Sequence, residues 1–241
     1  MSTKLRAFAL LTPVLGLALV ASPASAGDED YSGGPPDQVV AHLTPVPGNG
    51  VEGGGTATVE FEDGGMIDAF RLTAYGLLEN APHAAHIHFG EQARNECPGL
   101  ADDVNGDGRL NTTEGAPAYG GIVASLTTEG DTSPASALAI DRFDTATGGT
   151  IDYQRETAIS TSQEVAQAIA EGRGVVVVHG VDYDGDGVYG GPVPSDLDPS
   201  LPTEATDPAL CGVLEDDRGQ GGDHADGDDH GDDHEHGDHE H

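Results

Sequence analysis

The chain has 241 residues, of which 43 are acidic and nine are lysine or arginine, so its formal net charge is −34. A surface this acidic repels nucleic acids and anionic membranes and attracts cations, which excludes nucleic-acid binding from the expected functions. Tryptophan is absent and aromatic residues make up only 5% of the chain, so the core must be built mainly from valine, isoleucine, leucine and alanine.

The N-terminal residues 1–26 have the features of a signal peptide. Two basic residues precede an apolar stretch, and residues 24–26, "ASA", form a small-residue cleavage site. The apolar stretch is short and Pro13 interrupts it, so we do not expect a membrane anchor. We therefore expect a secreted protein, in which a flexible linker over residues 27–38 precedes the folded domain.

Residues 39–214 are predicted to form one all-β domain. Short segments that are rich in β-branched residues and separated by Gly, Asp, Asn or Pro are typical of strands. These segments are residues 38–43, 55–62, 66–77, 84–89, 121–128, 136–143, 150–156, 174–180 and 209–214. In the second of them Ala57, Val59 and Phe61 alternate with polar residues, which predicts a half-buried antiparallel strand, joined to the next segment by a hairpin turn. Many short strands at regular spacing indicate a β-sandwich or barrel.

A single short helix is predicted within this domain. Thr161 and Glu164 have the spacing of a capping box, and Gly172 is a typical C-terminal stop. Between them, Val165 and Ile169 fall on one apolar face.

The chain contains two cysteines, Cys97 and Cys211. In an exported protein they are expected to form one structural disulfide that closes a long loop. The alternative is a pair of thiolate metal ligands, which fits a secreted protein less well.

Histidines are concentrated in two strand-like segments of the domain. Three lie in "HAAHIH", and His179 ends the apolar segment "GVVVVH". Alternate residues of a strand point to the same face, so His86 and His88 should project together, whereas His83 is out of step. A third imidazole from a neighbouring strand would complete a copper or zinc site with three nitrogen ligands. Two alternatives stay open: the H-x-H pair faces solvent, or a backbone carbonyl rather than a metal satisfies His179.

The segment "DVNGDGRLNTTE", residues 103–114, matches a twelve-residue calcium loop. Its oxygen ligands would be Asp103, Asn105, Asp107, the carbonyl of Arg109, Asn111 and Glu114. Gly108 supplies the sharp turn, and this spacing wraps around one point the hard oxygens that calcium prefers. We expect both flanks to be non-helical, so the loop would act as a structural clip rather than a sensor. The alternative is a plain acidic turn.

A second acidic segment, "DYDGDG", repeats the first half of that loop. Asp182, Asp184 and Asp186 would be its ligands, but place twelve is Val193, so the bidentate acid is lost. A weaker calcium site and a simple Asp/Gly turn are equally compatible with this pattern.

Residues 215–241 mix Asp, Gly and His without apolar periodicity and are predicted to be disordered. Histidine-rich tracts bind zinc, copper or nickel, so we expect the tail to gather metal ions. The tail histidines are His224, His230, His234, His236, His239 and His241. The alternative is a tail that only adds charge and solubility.

Several of these segments resemble a known family. "AHIHFG", "GRGVVVVHG" and "ALCGVL" resemble the secreted copper/zinc superoxide dismutases, and "AAHIHFG" with residues 43–61 resembles the related chordin-type (CHRD) domains. The resemblance covers most of residues 39–214 and implies an antiparallel Greek-key fold. It also implies that His86, His88 and His179 are copper ligands and that Cys97 and Cys211 form a disulfide.

Two departures from the dismutase pattern bear on activity. No histidine lies between Phe89 and Val178, where the family has its bridging histidine and zinc ligands, and Pro208 replaces the arginine that guides the anion. Superoxide is itself an anion, so an acidic chain opposes its electrostatic steering. We therefore expect a non-catalytic protein whose partners are metal ions, copper or zinc at the histidines and calcium at the acidic loop. The alternatives are a copper-only superoxide dismutase and an extracellular adhesion or matrix module.

Overall fold

The computed structural model describes residues 36–156 and 159–219. The predicted signal peptide, most of the predicted linker and the six tail histidines lie outside the described residues. Within the described part, no helix has both the length and the apolar character needed to cross a membrane.

Eight antiparallel strands make up the described domain. In chain order they are β1 Gln38–Pro45, β2 Gly54–Phe61, β3 Ile67–Tyr75, β4 Ala85–Phe89, β5 Gly121–Ser125, β6 Thr150–Arg155, β7 Val175–His179 and β8 Pro208–Val213. Their order across the sheet is β5-β4-β7-β8-β1-β2-β3-β6. The connections from β3 to β4, from β5 to β6 and from β6 to β7 cross between the two halves of the sheet, so the topology is not a simple meander.

β1 joins the two halves of this curled sheet. It pairs with β2 over residues 38–43 and with β8 only at its last two residues. One buried hydrophobic cluster includes Val59 and Phe70 from one half and Ile87 and Val178 from the other, so the two halves share a core. The prediction of an all-β sandwich or barrel is confirmed.

Burial along the strands follows the predicted alternation. Ala57 and Val59 on β2 are fully buried and Phe61 is half-buried against the core. The four valines of β7 are all fully buried, as expected for a strand that is covered on both faces. Burying each such side chain contributes about 1.5–3 kcal/mol, so the four valines of β7 contribute substantially to the stability of the sheet.

Residues 136–143, predicted as a strand, are instead part of two short 3-10 turns, Pro134–Ser136 and Ile140–Arg142. The proline at the start of the first turn has no N–H for a strand ladder and a φ that suits a turn. The hydroxyl of Ser136 donates a hydrogen bond to the carboxylate of Asp131 at 2.7 Å. These local interactions outweigh the aliphatic composition that suggested a strand.

Three short α-helices lie within the described residues, where the sequence predicts one: α1 Thr112–Tyr119, α2 Gln163–Ala168 and α3 Thr203–Thr206. α2 is the predicted helix, and the helical path continues to Gly172, whose φ of 81° ends it. The N-cap is Ser162 rather than Thr161, because the Ser162 hydroxyl accepts the N–H of Val165 at 3.2 Å.

Cys97 and Cys211 form the predicted disulfide, which ties the loop after β4 to β8. Replacing both cysteines by serine should lower the free energy of unfolding by about 4–5 kcal/mol, because the bond closes a loop between residues 114 apart. Urea unfolding of the variant and the wild type measures the difference. Equal stabilities would show that the denatured chain is compact without the bond.

Candidate metal centre

β4 and β7 bring the three predicted histidines together. The two strands are antiparallel neighbours, and His86 on β4 lies opposite Val177 on β7. His88 follows His86 by two residues and His179 follows Val177 by two residues, so all three imidazoles lie on one face. The N–H of His179 donates to the carbonyl of Ala84 at 2.8 Å, which holds the end of β7 against β4.

This face of the sheet is covered by the rest of the chain. His86, His88 and His179 are each no more than 3% exposed. The two valines of β7 that share the face pack against Leu110 and Tyr119, from the segment that follows β4. The alternative in which the H-x-H pair faces solvent is therefore wrong.

Each of the three rings has one nitrogen bonded to a backbone carbonyl. The pairs are His86 Nε2 with Ala137 O (3.1 Å), His88 Nδ1 with Gly120 O (3.1 Å) and His179 Nδ1 with Thr206 O (2.7 Å). A carbonyl oxygen can only accept, so the bonded nitrogen of each ring carries the proton. The other nitrogen of each neutral ring therefore keeps its lone pair.

The nitrogens that keep their lone pairs, His86 Nδ1, His88 Nε2 and His179 Nε2, are buried and have no hydrogen-bond partner. One ring nitrogen of each histidine lies within 4.8 Å of those of the other two. Leaving a buried polar atom unpaired costs about 1–3 kcal/mol. Three such atoms in one place are best explained by a common partner, and a cation is the partner that accepts three lone pairs.

Burial keeps these imidazoles neutral. Desolvation lowers the pKa of His88 to about 3 and the pKa of His179 to about 4. It also holds the pKa of His86 well below its ordinary value, and repulsion from protonated forms of the other two histidines adds to that effect. Neutral imidazole is the form that binds metal ions, so at neutral pH the cluster binds without first losing protons.

The donor set fits copper or zinc. Metal–nitrogen bonds of about 2.0–2.1 Å place two ligands of one ion at most about 4.2 Å apart, which is close to the upper limit of 4.8 Å on the nitrogen separations in the cluster. Hydrogen bonds from the far ring nitrogens to carbonyls are the usual support of metal-binding histidines, since they fix tautomer and ring orientation. Imidazole suits both copper and zinc, so the donor set does not choose between them.

His83 contacts the backbone of the metal centre although it is not one of the three clustered histidines. Its Nδ1 lies 2.8 Å from the carbonyl oxygen of His179 and 3.1 Å from the hydroxyl of Tyr189, and its Nε2 lies 3.2 Å from the carbonyl oxygen of Leu78. A side chain at Gly180 would not fit, because its Cβ would lie 2.1 Å from that hydroxyl. Sequence reasoning missed Tyr189, which is far from the histidines along the chain, and the only local signal was the glycine after His179.

The first acidic loop, residues 103–114, turns its acids inward onto its own backbone. The carboxylate of Asp103 accepts the N–H of Gly108 at 2.8 Å, which closes the turn. Glu114, at place twelve, accepts the N–H of Asn105, at place three, at 3.1 Å. The first and last acids of the predicted ligand set therefore hold the same small loop.

The middle of this loop is also closed by its own backbone, but the carboxylates of Asp103, Asp107 and Glu114 do not all come within 4.8 Å of one another as those of the second loop do. The carboxylate of Asp107 accepts the N–H of Arg109 at 2.9 Å. The Arg109 guanidinium lies 3.8 Å from the centre of the Tyr183 ring, so its side chain points away and only its carbonyl remains as a ligand for the loop.

The C-terminal flank of the loop is helical, contrary to the prediction. α1 begins at Thr112, with Asn111 as its N-cap and Glu114 in its first turn. The Asn111 side chain accepts the N–H of Glu114 at 3.0 Å, and Glu114 accepts the N–H of Asn111 at 3.2 Å. This capping box outweighs the helix-disfavouring Gly115 and Pro117. The loop therefore leads into an α-helix on one side, as in half of an EF-hand. The N-terminal flank also departs from the prediction, because it ends in a short 3-10 helix, Leu100–Asp102.

The second acidic loop repeats the hydrogen bonds of the first. The carboxylate of Asp182 accepts the N–H groups of Gly185 at 2.8 Å and Gly187 at 3.0 Å. Carboxylate oxygens of Asp182, Asp184 and Asp186 lie within 4.8 Å of one another. The three predicted residues thus lie together.

Glu204 on α3 closes this second loop in the way that Glu114 closes the first. It is only 3% exposed, and it accepts the N–H of Tyr183 at 2.8 Å and the N–H of Gly190 at 2.7 Å. The residue at place twelve of this loop is Val193, whose side chain cannot act as a ligand. Glu204, from a later segment of the chain, lies beside the loop instead. No sequence signal marks Glu204, because the calcium pattern only counts residues within one continuous segment.

Both acidic loops connect to the histidines through short helices. The carbonyl of Gly120, at the C-terminal end of α1, orients His88. The carbonyl of Thr206, on α3, orients His179 and also accepts the hydroxyl of Thr112 at 2.7 Å. The helices that carry the terminal acids of the loops therefore also hold two of the three rings.

The chain matches no model of a known protein family and no curated protein sequence. What it binds is therefore inferred from its own residues.

Proposed function

We propose that this protein is a secreted, non-catalytic metal-binding protein in which His86, His88 and His179 hold one copper or zinc ion. The observation that carries the proposal is the cluster of three buried imidazole nitrogens without hydrogen-bond partners. A bound ion would satisfy all three and, as a Lewis acid, would keep a fourth position for water or another ligand. The disulfide supports an oxidising, extracytoplasmic compartment.

The metal content of matched histidine variants tests this proposal. Full-length protein equilibrated with micromolar free zinc or copper should lose about one bound ion on His86→Ala. His42→Ala should lose none, because His42 is exposed on β1 and stands apart from the cluster. The tail is identical in both variants, so the difference isolates the folded centre. Circular dichroism must show that His86→Ala is folded. Equal metal contents would contradict the proposal and favour the adhesion or matrix module with structural histidines.

Calcium is proposed as the ion of the acidic loops. The first loop supplies Asp103, Asn105, Asp107, Arg109, Asn111 and Glu114, and the second supplies Asp182, Asp184 and Asp186 with Glu204 beside them. The inward-turned carboxylates and the closing acids support this assignment, since calcium prefers carboxylate and carbonyl oxygens arranged around one point. The histidine-rich tail, which lies outside the described residues, is proposed to gather transition-metal ions near the centre.

A copper-only superoxide dismutase is the enzymatic alternative, and the three-imidazole donor set favours it because that set also suits a redox-active copper ion. Two features oppose this activity. The chain has Pro208 where the dismutases have the arginine that guides the anion, and its net charge of −34 opposes the approach of superoxide. A superoxide assay on the copper-loaded protein decides between the two functions. Rapid dismutation that disappears in His86→Ala would replace the non-catalytic proposal.

A further inference from the structure

An apolar cavity of about 260 Å³ opens beside the three histidines. Its outer wall consists of aliphatic side chains from three segments: Ile122 on β5, Leu138 and Ile140 from the turns after it, and Leu197 from the stretch before α3. Leu138, Ile140 and Leu197 are 40–48% exposed. They form an open apolar rim.

The inner end of the cavity is formed by the metal centre itself. His86 and His179 line it, and both are only 3% exposed. Phe143 also lines it, with its ring centre 5.3 Å from that of His86. The cavity therefore runs from an exposed aliphatic rim to the buried imidazoles.

Apart from the two histidines, polar groups in the cavity wall are few and already have partners. The Thr112 hydroxyl donates to the carbonyl of Thr206, and the Thr206 hydroxyl donates to the hydroxyl of Ser195, both at 2.7 Å. Among the described residues that line the cavity there is no Asp, Glu, Lys or Arg. A charged ligand would find no partner in the wall, and burying an unpaired charge is very costly.

We infer that this cavity binds a neutral, largely apolar small molecule that carries one nitrogen or sulfur donor for the metal ion held by the histidines. The inference rests on the proposed function, since the metal ion is the only strong polar partner that the cavity would present. The apolar body of the ligand would displace water from the aliphatic walls, and its donor atom would take the open coordination position. Anionic ligands are further disfavoured by the acidic chain.

Peptide segments fit this cavity less well. A peptide would bring backbone N–H and C=O groups against aliphatic walls that cannot pair with them. The cavity is also at the small end of ligand pockets, which are typically about 300–1,000 Å³, so it suits a compact molecule.

Binding of 4-phenylimidazole and imidazole to the zinc-loaded full-length protein tests the inference. Both probes offer the same donor nitrogen, but only the first has an apolar body. Calorimetry should show roughly tenfold or tighter binding of 4-phenylimidazole, from burial of its phenyl ring. Leu138→Ser should weaken that binding roughly threefold to tenfold and leave imidazole unaffected. Leu100→Ser is the matched control, because Leu100 is a 59% exposed leucine outside the cavity wall, and it should change neither affinity.

A second readout does not need the metal ion. In methyl-labelled, metal-free protein, toluene should shift the methyl resonances of Leu138 and Ile140 and leave those of Leu100 unchanged. Toluene shifts without zinc binding would contradict the metal centre but leave the cavity assignment standing. Zinc binding with equal affinities for the two imidazoles would overturn the inference while leaving the proposed function intact. Shifts that depend on protein concentration rather than on toluene would overturn it in favour of self-association at the rim.

Discussion

Calcium is expected to tighten zinc or copper binding at the three histidines by about tenfold, within the range typical of coupling between two sites. The first reason lies in α1, which begins in the acidic loop and ends beside the metal centre. Glu114 in its first turn bonds the loop at Asn105, and the carbonyl of Gly120 at its end holds the ring of His88. A calcium ion bound by Glu114 and Asp103 would fix the position of α1 and so pre-orient the His88 nitrogen.

The second reason is a carbonyl shared between the two helices. Thr206 O accepts both the N–H of the His179 ring and the hydroxyl of Thr112, which opens α1. α3 is held in turn by Glu204, which bonds the second acidic loop. A calcium ion that fixes either loop would therefore also fix the position of Thr206 O, and with it the orientation of the His179 ring. Because linkage is reciprocal, zinc should tighten calcium binding by the same factor.

Competition titrations with a zinc indicator, with and without saturating calcium, measure this coupling. Glu114→Gln should abolish most of the calcium effect, and Thr112→Val should reduce it by removing the donor to Thr206 O. Glu62→Gln is the control, because Glu62 is an exposed glutamate in the turn between β2 and β3, away from both loops. An unchanged zinc affinity in the presence of bound calcium would refute the coupling. Failure to bind calcium at all would instead refute the calcium assignment of the loops.

The sequence predicts the histidine face because that face depends on a local rule. The two-residue period of a strand places His86 and His88 together, and the apolar segment before His179 marks a buried neighbouring strand. The same rule predicts the alternation of Ala57 and Val59 and the architecture of short paired strands. The alternation on β2 and the His86–His88 pair follow from residues that are close together in the chain, whereas His179 joins them only because β4 pairs with β7.

Features that depend on individual turn and capping hydrogen bonds, or on contacts between distant segments, could not be predicted from strand periodicity. Residues 136–143 have a strand-like composition, but the hydroxyl of Ser136 and the carboxylate of Asp131 hold them as turns. α1 contains a glycine and a proline and forms because Asn111 and Glu114 cap it reciprocally. The acid beside the second loop, Glu204, comes from another segment, so counting along the chain from Asp182 leads only to Val193.

The stability of the metal-free protein should fall more steeply with decreasing pH when the three histidines are present than when one of them is replaced. Burial holds the pKa values of His86, His88 and His179 far below that of an unfolded histidine, about 6.5. Below about pH 6.5 these histidines are therefore protonated in the unfolded chain but not in the folded chain. The free energy of unfolding falls as the pH falls for this reason. Each histidine contributes a slope of about 1.4 kcal/mol per pH unit until the pH reaches its folded pKa.

One buried acid acts in the opposite direction. Desolvation raises the pKa of Asp207 to about 7, so between about pH 7 and its unfolded value of about 3.9 the folded chain binds a proton that the unfolded chain does not. Its contribution rises as the pH falls and offsets roughly one histidine. Of the three histidines of the centre, two histidines' worth of destabilisation then remains, about 2.7 kcal/mol per pH unit, which is large against the free energy of unfolding of a typical domain, about 5–15 kcal/mol. Burial also lowers the pKa of His83, so His83 adds to this destabilisation.

Comparing variants isolates the histidine contribution from the titration of the many surface acids. Urea unfolding of metal-free wild type and His86→Gln, from about pH 7 to about pH 5, should give slopes that differ by about 1.4 kcal/mol per pH unit. His42→Gln, at the exposed histidine of β1, should keep the wild-type slope. Excess zinc should oppose acid unfolding in the wild type, because the ion binds only neutral rings and favours the folded state that presents them. Identical slopes for wild type and His86→Gln would mean that the imidazole rings take up protons in the folded state. That result would contradict a buried, neutral centre with three nitrogen ligands.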